Sequence, residues 1–502
     1  KRRDYNDVFE PPAFTKSVTL KSSTHLFFAE ALSRLQGLAA LVPAAHAAYR
    51  PLVSDGLMFF LGQLPAPRFE AIIAEQLALP PNASNLRRLI ALFRQCPTLH
   101  KLGQVVAHDR RLDLELRQRL QTLESLPPTT PIKKVLPQIR QATRHIAGLK
   151  VSQRALAEAS VAIVIPFTWP DAPAELPQRG VFKVLRPGVV EKLAEELPIW
   201  SQLGAYLEER CVVHGLPNFS FRDTLESVAR LLAHEIRLEQ EQAHLAEAQN
   251  TYGDWPQVLI PKLFPFCTPK ITAMERVDGH KITEIAASPW SLRQRARLVV
   301  DALLARPFWQ SGAFHADPHA GNLMITPDNR LAILDWALMT QLNKTQREAV
   351  MRLMLAALSL NNAQVCRAVV ELGSVRDPAA LQAAVAESLT AVRWGRFPGF
   401  DWLTNLLDRL ASKATANFPN ELVLFRKALL TLSGVVADIS EQASVDAVLL
   451  ESGAVHFFRH LSTRLLAPTQ SRHAGIQLSN TDLLGVWLGA PATAWRFWFP
   501  GQ

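Results

Sequence analysis

The sequence is poor in the features that mark several large protein classes. Its four cysteines (Cys96, Cys211, Cys267, Cys366) stand far apart, with no CxxC pair and no metal-binding spacing. That excludes a disulfide-stapled scaffold and fits a reducing compartment or plain buried thiols. No uninterrupted apolar run reaches the ~18 residues of a conventional membrane span. No repeat or low-complexity tract is visible, and the composition excludes collagen-like and coiled-coil chains. No signal-type apolar stretch follows the basic residues 1–3 directly. Nor does one sign of charge dominate: 54 Lys and Arg against 45 Asp and Glu leave +9. The excess is spread along the chain, densest at residues 1–3 and 140–150. A solvated basic surface explains that spread more simply than an anionic partner, either a phospholipid surface or nucleotide phosphates. No nucleic-acid partner is expected.

What is present is a folded chain. With 502 residues, 48% hydrophobic and 20% charged, it holds core enough for two or three domains and is not globally disordered. Helical spacing recurs in Phe27, Leu32, Leu35 and Leu38, and again in Leu89, Leu92, Phe93 and Cys96. Pro80-Pro81 and Pro127-Pro128 mark breaks. Beyond Ser152 the texture changes. Residues 161–167, 181–185, 259–266 and 271–277 read as strands, residues 221–249 as one long helix, and residues from 291 onward as mostly helical. The expected architecture is α+β, a small mixed lobe before a larger helical one, preceded by a helical extension. The end, LLGVWLGAPATAWRFWF (483–499), carries Trp487, Trp495, Trp498 and Arg496 and suits an interfacial tail or an element docked on the domain. LMFFLGQL (57–64) is the other candidate membrane or partner surface, with core packing as its plainer reading.

The most informative stretch is FHADPHAGNLMITPDNRLAILDWALM (314–339). Two apolar runs flank Pro327-Asp328-Asn329, a turn by composition. A hairpin centred between Asp328 and Asn329 places Asn322 opposite Asp335. An amide and a carboxylate at the open end of a rigid hairpin suit Mg²⁺, which prefers oxygen ligands and shares phosphate oxygens. Asp317, five residues before Asn322, is placed to orient a nucleophile or take its proton. This Asp-x₄-Asn…Asp spacing is the arrangement of kinase-type phosphoryl transfer. His315 and His319 read as loop braces in preference to metal ligands. Such a site also needs a lysine on a strand and a glutamate on a helix to hold it. Lys183 in VFKVLRPG is the single charge in an apolar run, and Glu235, Glu239 and Glu241 are its candidate partners.

The sequence resembles the UbiB family of atypical kinase-like proteins, associated with coenzyme Q biosynthesis. The residues that carry the resemblance are KLGQ (101–104), ALAEAS (155–160), VFKVLRPG (181–188), EIRLEQEQA (235–243), TAMERVDG (272–279), HADPHAGN (315–322) and LDWA (334–337), with residues 419–434 added. The resemblance implies a bilobal protein-kinase-like fold in which helices bearing KxGQ cover the active site. An alanine-rich loop, with Ala155, Ala157, Ala159 and Ser160, takes the place of the glycine-rich phosphate loop. It implies that Lys183 pairs with Glu241, and that Glu235 faces Lys101 and Gln104. Val181, on the side of Lys183, and Met274, Glu275 and Val277 of a hinge would complete the nucleotide site. Asp317 and Lys183 would be catalytic, and Asn322 and Asp335 metal-binding.

Departures bear on this expectation. Trp336 and Ala337 stand where Phe and Gly are usual, which restricts a backbone flip. Arg237 replaces an acid, Ala320 a proline, and Glu158 interrupts the alanine loop, either beside phosphate or toward solvent. The expected divisions are an N-terminal extension (1–90), a KxGQ segment (91–150), an N-lobe (151–278), a C-lobe (279–466) and a tail (467–502). The expected function is a Mg-ATP (or ADP) binding ATPase or phosphotransferase supporting isoprenoid quinone synthesis or related lipid handling. Its expected location is cytoplasmic and peripheral to a membrane, with a lipid surface and quinone-biosynthesis proteins as partners. A nucleotide-binding scaffold and a small-molecule kinase are the alternatives. The oligomeric state is not legible.

Overall fold

The computed structural model describes residues 35, 37–42, 44–107, 128, 130–217, 220–284, 290–412, 415–472 and 477–498. The basic residues 1–3, Phe27, Leu32, Pro127 and Phe499, on which parts of the sequence reading rest, lie outside the described residues. The chain divides into two compact units, the first comprising Lys1–Thr129, Glu158–Ala162 and Arg186–Ala233, the second Thr130–Ala157, Ile163–Leu185 and His234–Gln502.

The first unit is built of helices whose starts are written in the sequence. Proline opens several of them: the helices Arg50–Gln63 and Ala66–Ala78 carry it in the first turn, and Pro97 begins Pro97–Ala107. Ser84 caps Asn85–Gln95 by accepting from the N–H of Arg87. The helix Arg50–Gln63 lies along Val189–Val213. Gly56 permits that approach, since a Cβ there would meet the Leu207 side chain at 2.8 Å. Leu52, Phe60, Leu61, Ile72, Ile73, Leu92, Leu203 and Leu232 are buried in this unit.

A charged cluster is also buried there. Glu196, with no exposed surface, accepts from Arg68 (2.6 Å) at one oxygen and from the N–H and hydroxyl of Thr98 (3.0 and 2.6 Å) at the other. Arg68 also reaches Glu195 at 2.7 Å. Glu196 thereby serves the N-terminal turn of the KLGQ-bearing helix Pro97–Ala107, binding donors the helix leaves open.

The second unit holds the strands β1 (Lys150–Val151), β2 (Ala157–Glu158), β3 (Ala162–Thr168), β4 (Arg179–Leu185), β5 (Val258–Leu259) and β6 (Ile271–Glu275). Residues at the β2–β3 tip fall in the first unit. A five-stranded sheet runs β1-β3-β4-β6, with β2 on β3. One face packs Phe167, Phe182, Phe264 and Phe266 as an aromatic cluster, with ring centroids 4.4–5.8 Å apart. The expected strand 259–266 is only β5. Pro261 and Pro265 interrupt it, because proline brings no N–H to a ladder.

A second sheet joins β5, β7 (His280–Lys281), β9 (Leu323–Ile325) and β10 (Leu331–Ile333) in the order β5-β10-β9-β7, while β8 (Ala313–His315) pairs with β11 (Met339–Gln341). The β9–β10 register sets Ile325 against Leu331 and Leu323 against Ile333, so the hairpin is centred on Asp328, one half-step from the expected centre. Asn322 is therefore opposite Leu334, whose N–H reaches the Asn322 carbonyl at 2.8 Å, and not opposite Asp335. The reason is the loop. Thr326 and Arg330 pair, and the three residues between them end in Asn329 at φ 60°, the left-handed residue that a three-residue hairpin loop requires.

The expected helix 221–249 is two, Phe221–Glu235 and Leu238–Tyr252, broken at Ile236-Arg237. Leu225, Val228 and Leu232 form the buried stripe before the break; Leu238, Glu241, Leu245, Ala248 and Tyr252 form it afterwards. The two stripes differ in phase by one residue, about 100° of a continuous helix. The rest of the unit is helical. The run Leu292–Trp309 contains a π-turn at Asp301–Ala305, closed by the N–H of Arg306 on the Asp301 carbonyl. In α geometry the ring of Pro307 would clash with the carbonyl of Leu303, and the wider turn makes room for it. At the end, the helices Asn480–Leu488 and Ala490–Trp498 are held by Arg496 on the Ser359 carbonyl and Arg393 on the Arg496 carbonyl. Trp487 stays 75% exposed and Trp495 53%. Among the described residues no helix is long and apolar enough to cross a membrane.

Candidate active site

β4 carries Lys183 on the face opposite Phe182 and Val184, which point into the aromatic core. Its ammonium lies 2.7 Å from Glu241 and 3.4 Å from Asp335. Lys183 is 12% exposed, Glu241 2% and Asp335 43%, so the cluster is closed on the helix side and open at Asp335. Burial disfavours the charged lysine, yet Asp335, Glu241 and Glu235 together hold its pKa above the usual value. Desolvation would raise Asp335, but the Lys183 ammonium and the N–H of Ala337 outweigh it and hold the carboxyl down at about 2. Burial pushes Glu241 upward against the pull of Lys183. The second oxygen of Glu241 is buried with no hydrogen-bond partner among the described residues.

Asp335 has φ 53°, a left-handed conformation that costs a non-glycine residue energy and tends to occur at functional sites. The next residue in the chain fixes this conformation. Trp336 is buried, donates its indole N–H to the Ile333 carbonyl at 3.1 Å and packs edge-on against His315. Its own carbonyl contacts His244 Nδ1 at 3.0 Å. Where glycine would allow rotation, an anchored indole holds the segment.

The loop leaving β8 is wound on itself. The N–H of Asp317 donates to His315 Nδ1 (3.2 Å), and His315 Nε2 meets the Leu334 carbonyl at 3.1 Å. One ring nitrogen accepts and the other donates, which defines a neutral imidazole, and burial lowers its pKa accordingly. His319 Nδ1 accepts from the N–H of Gly321. Both histidines brace the loop. Asn322, nearly buried, donates its amide Nδ2 to the Asp317 carbonyl at 3.2 Å, and its Oδ1 accepts no hydrogen bond among the described residues. The Asp335 carboxylate, open to solvent, and the Asn322 amide oxygen are hard-oxygen donors of the kind that fits Mg²⁺.

The remaining expected site residues are spread over both units. Val181 and Met274 are direct neighbours across β4 and β6, as are Gly180 and Glu275. The Glu275 side chain accepts from the N–H of Lys262, and Val277 lies just beyond β6. Ala155 and Ala157 lead into the β2–β3 turn. Ala159 and Ser160 belong to the first unit, where the Ser160 carbonyl accepts from Arg186 at 3.0 Å. Glu158 does not point to solvent: it is 10% exposed and paired with Arg186 at 3.1 Å, which offsets its charge. Lys101 and Gln104 lie on the helix Pro97–Ala107 of the first unit, Glu235 at the end of Phe221–Glu235 in the second.

Residues 132–369 match the family model described as the ABC1 atypical kinase-like domain. The chain is similar to the UbiB family of atypical kinase-like proteins. The chain is 29% identical over 290 residues to "Protein ACTIVITY OF BC1 COMPLEX KINASE 3, chloroplastic" of Arabidopsis thaliana, covering 53% of the chain and 37% of that protein. It is 26% identical over 376 residues to "Probable protein kinase UbiB" of Azotobacter vinelandii, covering 71% of the chain and 67% of that protein. The chain thus spans little more than a third of the first relative's length. Among solved structures, the Rv3197–erythromycin complex of Mycobacterium tuberculosis gives a TM-score of 0.46 at 17% identity, over 70% of this chain and 89% of that one.

Two charged residues that pair with expected site residues were not legible in the sequence. Arg186 lay unremarked inside VFKVLRPG, its partner Glu158 far upstream. Lys427, from the helix Asn420–Ile439, reaches Asp317 Oδ1 at 3.1 Å. Only its place within residues 419–434, quoted for the family resemblance, hinted at it.

Proposed function

We propose that the chain binds Mg-ATP and catalyses phosphoryl transfer, as an ATPase or atypical kinase supporting isoprenoid quinone (ubiquinone) synthesis or related lipid handling at a membrane. The observation that carries the reading is the sharing of Lys183 between Glu241 and Asp335, with Asn322 held against the Asp317 backbone. The proposal includes a two-lobed kinase architecture with residues 1–150 shielding the site, and peripheral attachment through surfaces such as the exposed Trp487 and Trp495. The quinone connection rests on the family resemblance alone.

In this reading Lys183 contacts the nucleotide phosphates and Glu241 keeps it in place. Val181 and residues 274–277 border the base. Asn322 and Asp335 would hold Mg²⁺, which when bound neutralises phosphate charge. Asp317 accepts the proton of the attacking hydroxyl or water. As that oxygen bonds to the γ-phosphorus, the bridging β–γ P–O bond breaks and ADP leaves with its electron pair.

The test is the thermal midpoint with Mg-ATP and Mg-ADP. A ligand of the folded state at about 100 Kd stabilises by roughly 2.7 kcal/mol, a shift of a few degrees. The expected result is a Mg-dependent rise that Asp335→Asn abolishes. No rise with either nucleotide would refute the reading, and a rise without turnover would favour a nucleotide-binding scaffold.

A further inference from the structure

The loop that carries Asp317, HADPHAGN (315–322), contains no lysine or arginine. A group that accepts a proton beside a developing phosphoryl charge gains from a fixed cation that sets its orientation. Here one comes from elsewhere in the second unit. Lys427 stands on the helix Asn420–Ile439, and its Nζ is 3.1 Å from Asp317 Oδ1, with the two side chains 33% and 28% exposed.

The helix is not a loose surface element. Phe425, fully buried two residues before Lys427, packs on Phe314 of β8 with ring centroids 4.7 Å apart and joins a cluster with Phe308 and Phe400. One turn earlier the Glu421 carbonyl accepts from the hydroxyl of Thr340 on β11 at 2.9 Å. β8 and β11 form the ladder from which the Asp317 loop departs, and Ala316 donates across it to the Leu338 carbonyl. The elements that set the height of Asp317 therefore also set the height of Lys427. A flexible lysine on an independent helix would be an ordinary surface ion pair worth under about 1 kcal/mol. This one is anchored on both sides of its contact.

We propose that Lys427 is a positioning residue of the phosphoryl-transfer site, its ammonium holding the Asp317 carboxylate aimed at the acceptor hydroxyl or water. The inference rests on the phosphoryl-transfer reading above. The cation that accompanies the catalytic aspartate is thus supplied in this chain by a distant helix, not by the loop itself.

The experiment measures steady-state Mg-ATP hydrolysis by the full chain as wild type, Lys427→Met, Lys427→Arg, Asp317→Asn and Lys427→Met/Asp317→Asn. Each is checked first for its Mg-ATP thermal shift. Loss of aim at a general base should lower kcat of Lys427→Met roughly 10- to 100-fold while KM for ATP stays within about threefold. Lys427→Arg should restore kcat to within about fivefold of wild type, and the double variant should be no slower than Asp317→Asn, as expected for residues acting as one unit. Lys427→Gln replaces Lys427→Met if that variant loses its folded midpoint. A kcat of Lys427→Met or Lys427→Gln within twofold of wild type overturns the proposal. So does failure of arginine to rescue, or losses that multiply in the double variant. These outcomes, read in a wild type that turns over, overturn this inference alone; a wild type that binds Mg-ATP without turnover, or neither binds nor hydrolyses it, overturns the phosphoryl-transfer reading as well.

Discussion

Two buried clusters of the same chemistry lie in the two units, and they are finished differently. In the first unit Glu196 has both oxygens occupied, by Arg68 on one and by the N–H and hydroxyl of Thr98 on the other. In the second, one lysine serves two carboxylates, Glu241 keeps a buried oxygen without a partner among the described residues, and Asp335 is 43% exposed. Burial of charge carries a large desolvation cost in both. The Glu196 cluster recovers it within the protein and fastens the start of a helix. The Lys183 cluster leaves acceptor capacity and an open side, as a site that exchanges ligands must. A buried ion pair alone does not distinguish framework from function, and neither does one unfilled valence, since Arg68 Nε is also buried without a partner among the described residues; the open side at Asp335 does.

The largest effect that would break this contrast is expected at Glu196. Glu196→Ala leaves Arg68 with Glu195 and the Gln95 carbonyl but strips the acceptor from the first turn of Pro97–Ala107, and should cost about 3 kcal/mol in urea unfolding. Next comes Lys183→Met. It should cost less than half as much stability, because Asp335 reaches water and Glu241, already pushed upward by burial, takes up a proton. The same variant should lose the Mg-ATP thermal shift, whereas a folded Glu196 variant should keep it. Equal stability losses at the two lysine-linked and arginine-linked clusters would erase the distinction.

A third carboxyl sharpens the comparison with a smaller effect. Asp446 accepts from the N–H of Phe400 at 2.6 Å, and burial, with Asp401 nearby, pushes it up to about 6. A raised folded pKa on an acid means that the native state binds the proton more tightly than the unfolded chain does. Its stabilising contribution is complete below about pH 4 and is lost as pH rises through 6. Asp446→Asn should therefore raise the midpoint relative to wild type at pH 7.5, by a margin that shrinks as pH falls through 6 and is gone below about pH 4. A margin independent of pH would show that packing, not charge, sets the effect.

The sequence displayed these regions unevenly. Asp317, Asn322, Asp335 and Lys183 were legible because local spacing carries them: a five-residue step, a hairpin, a lone charge in a strand. Glu241 needed the family resemblance to be chosen over its neighbours. The hairpin centre was missed by half a step, since composition shows a turn at 327–329 without showing that Asn329 adopts positive φ. The break at Ile236-Arg237 carries no proline or glycine and shows itself only as a phase change in the buried stripe. Glu196, Arg186 and Lys427 were illegible for another reason. Each acts through a partner remote in sequence, and neither a charged residue on a helix, as Glu196 and Lys427 are, nor one just past a strand, as Arg186 is, carries a local mark that it faces inward.

The π-turn at Asp301–Ala305 has a consequence of a different kind. It holds one residue more than an α-turn over the same rise, and Ala302, Leu303, Leu304 and Ala305 are all enclosed in the core. An extra residue there cannot be absorbed by a surface loop. When this chain is aligned with a homologue whose corresponding helix is continuous, the single-residue gap belongs inside 301–305. An alignment that instead moves the gap into the connection before β8 will shift Trp309 and its neighbours by one place.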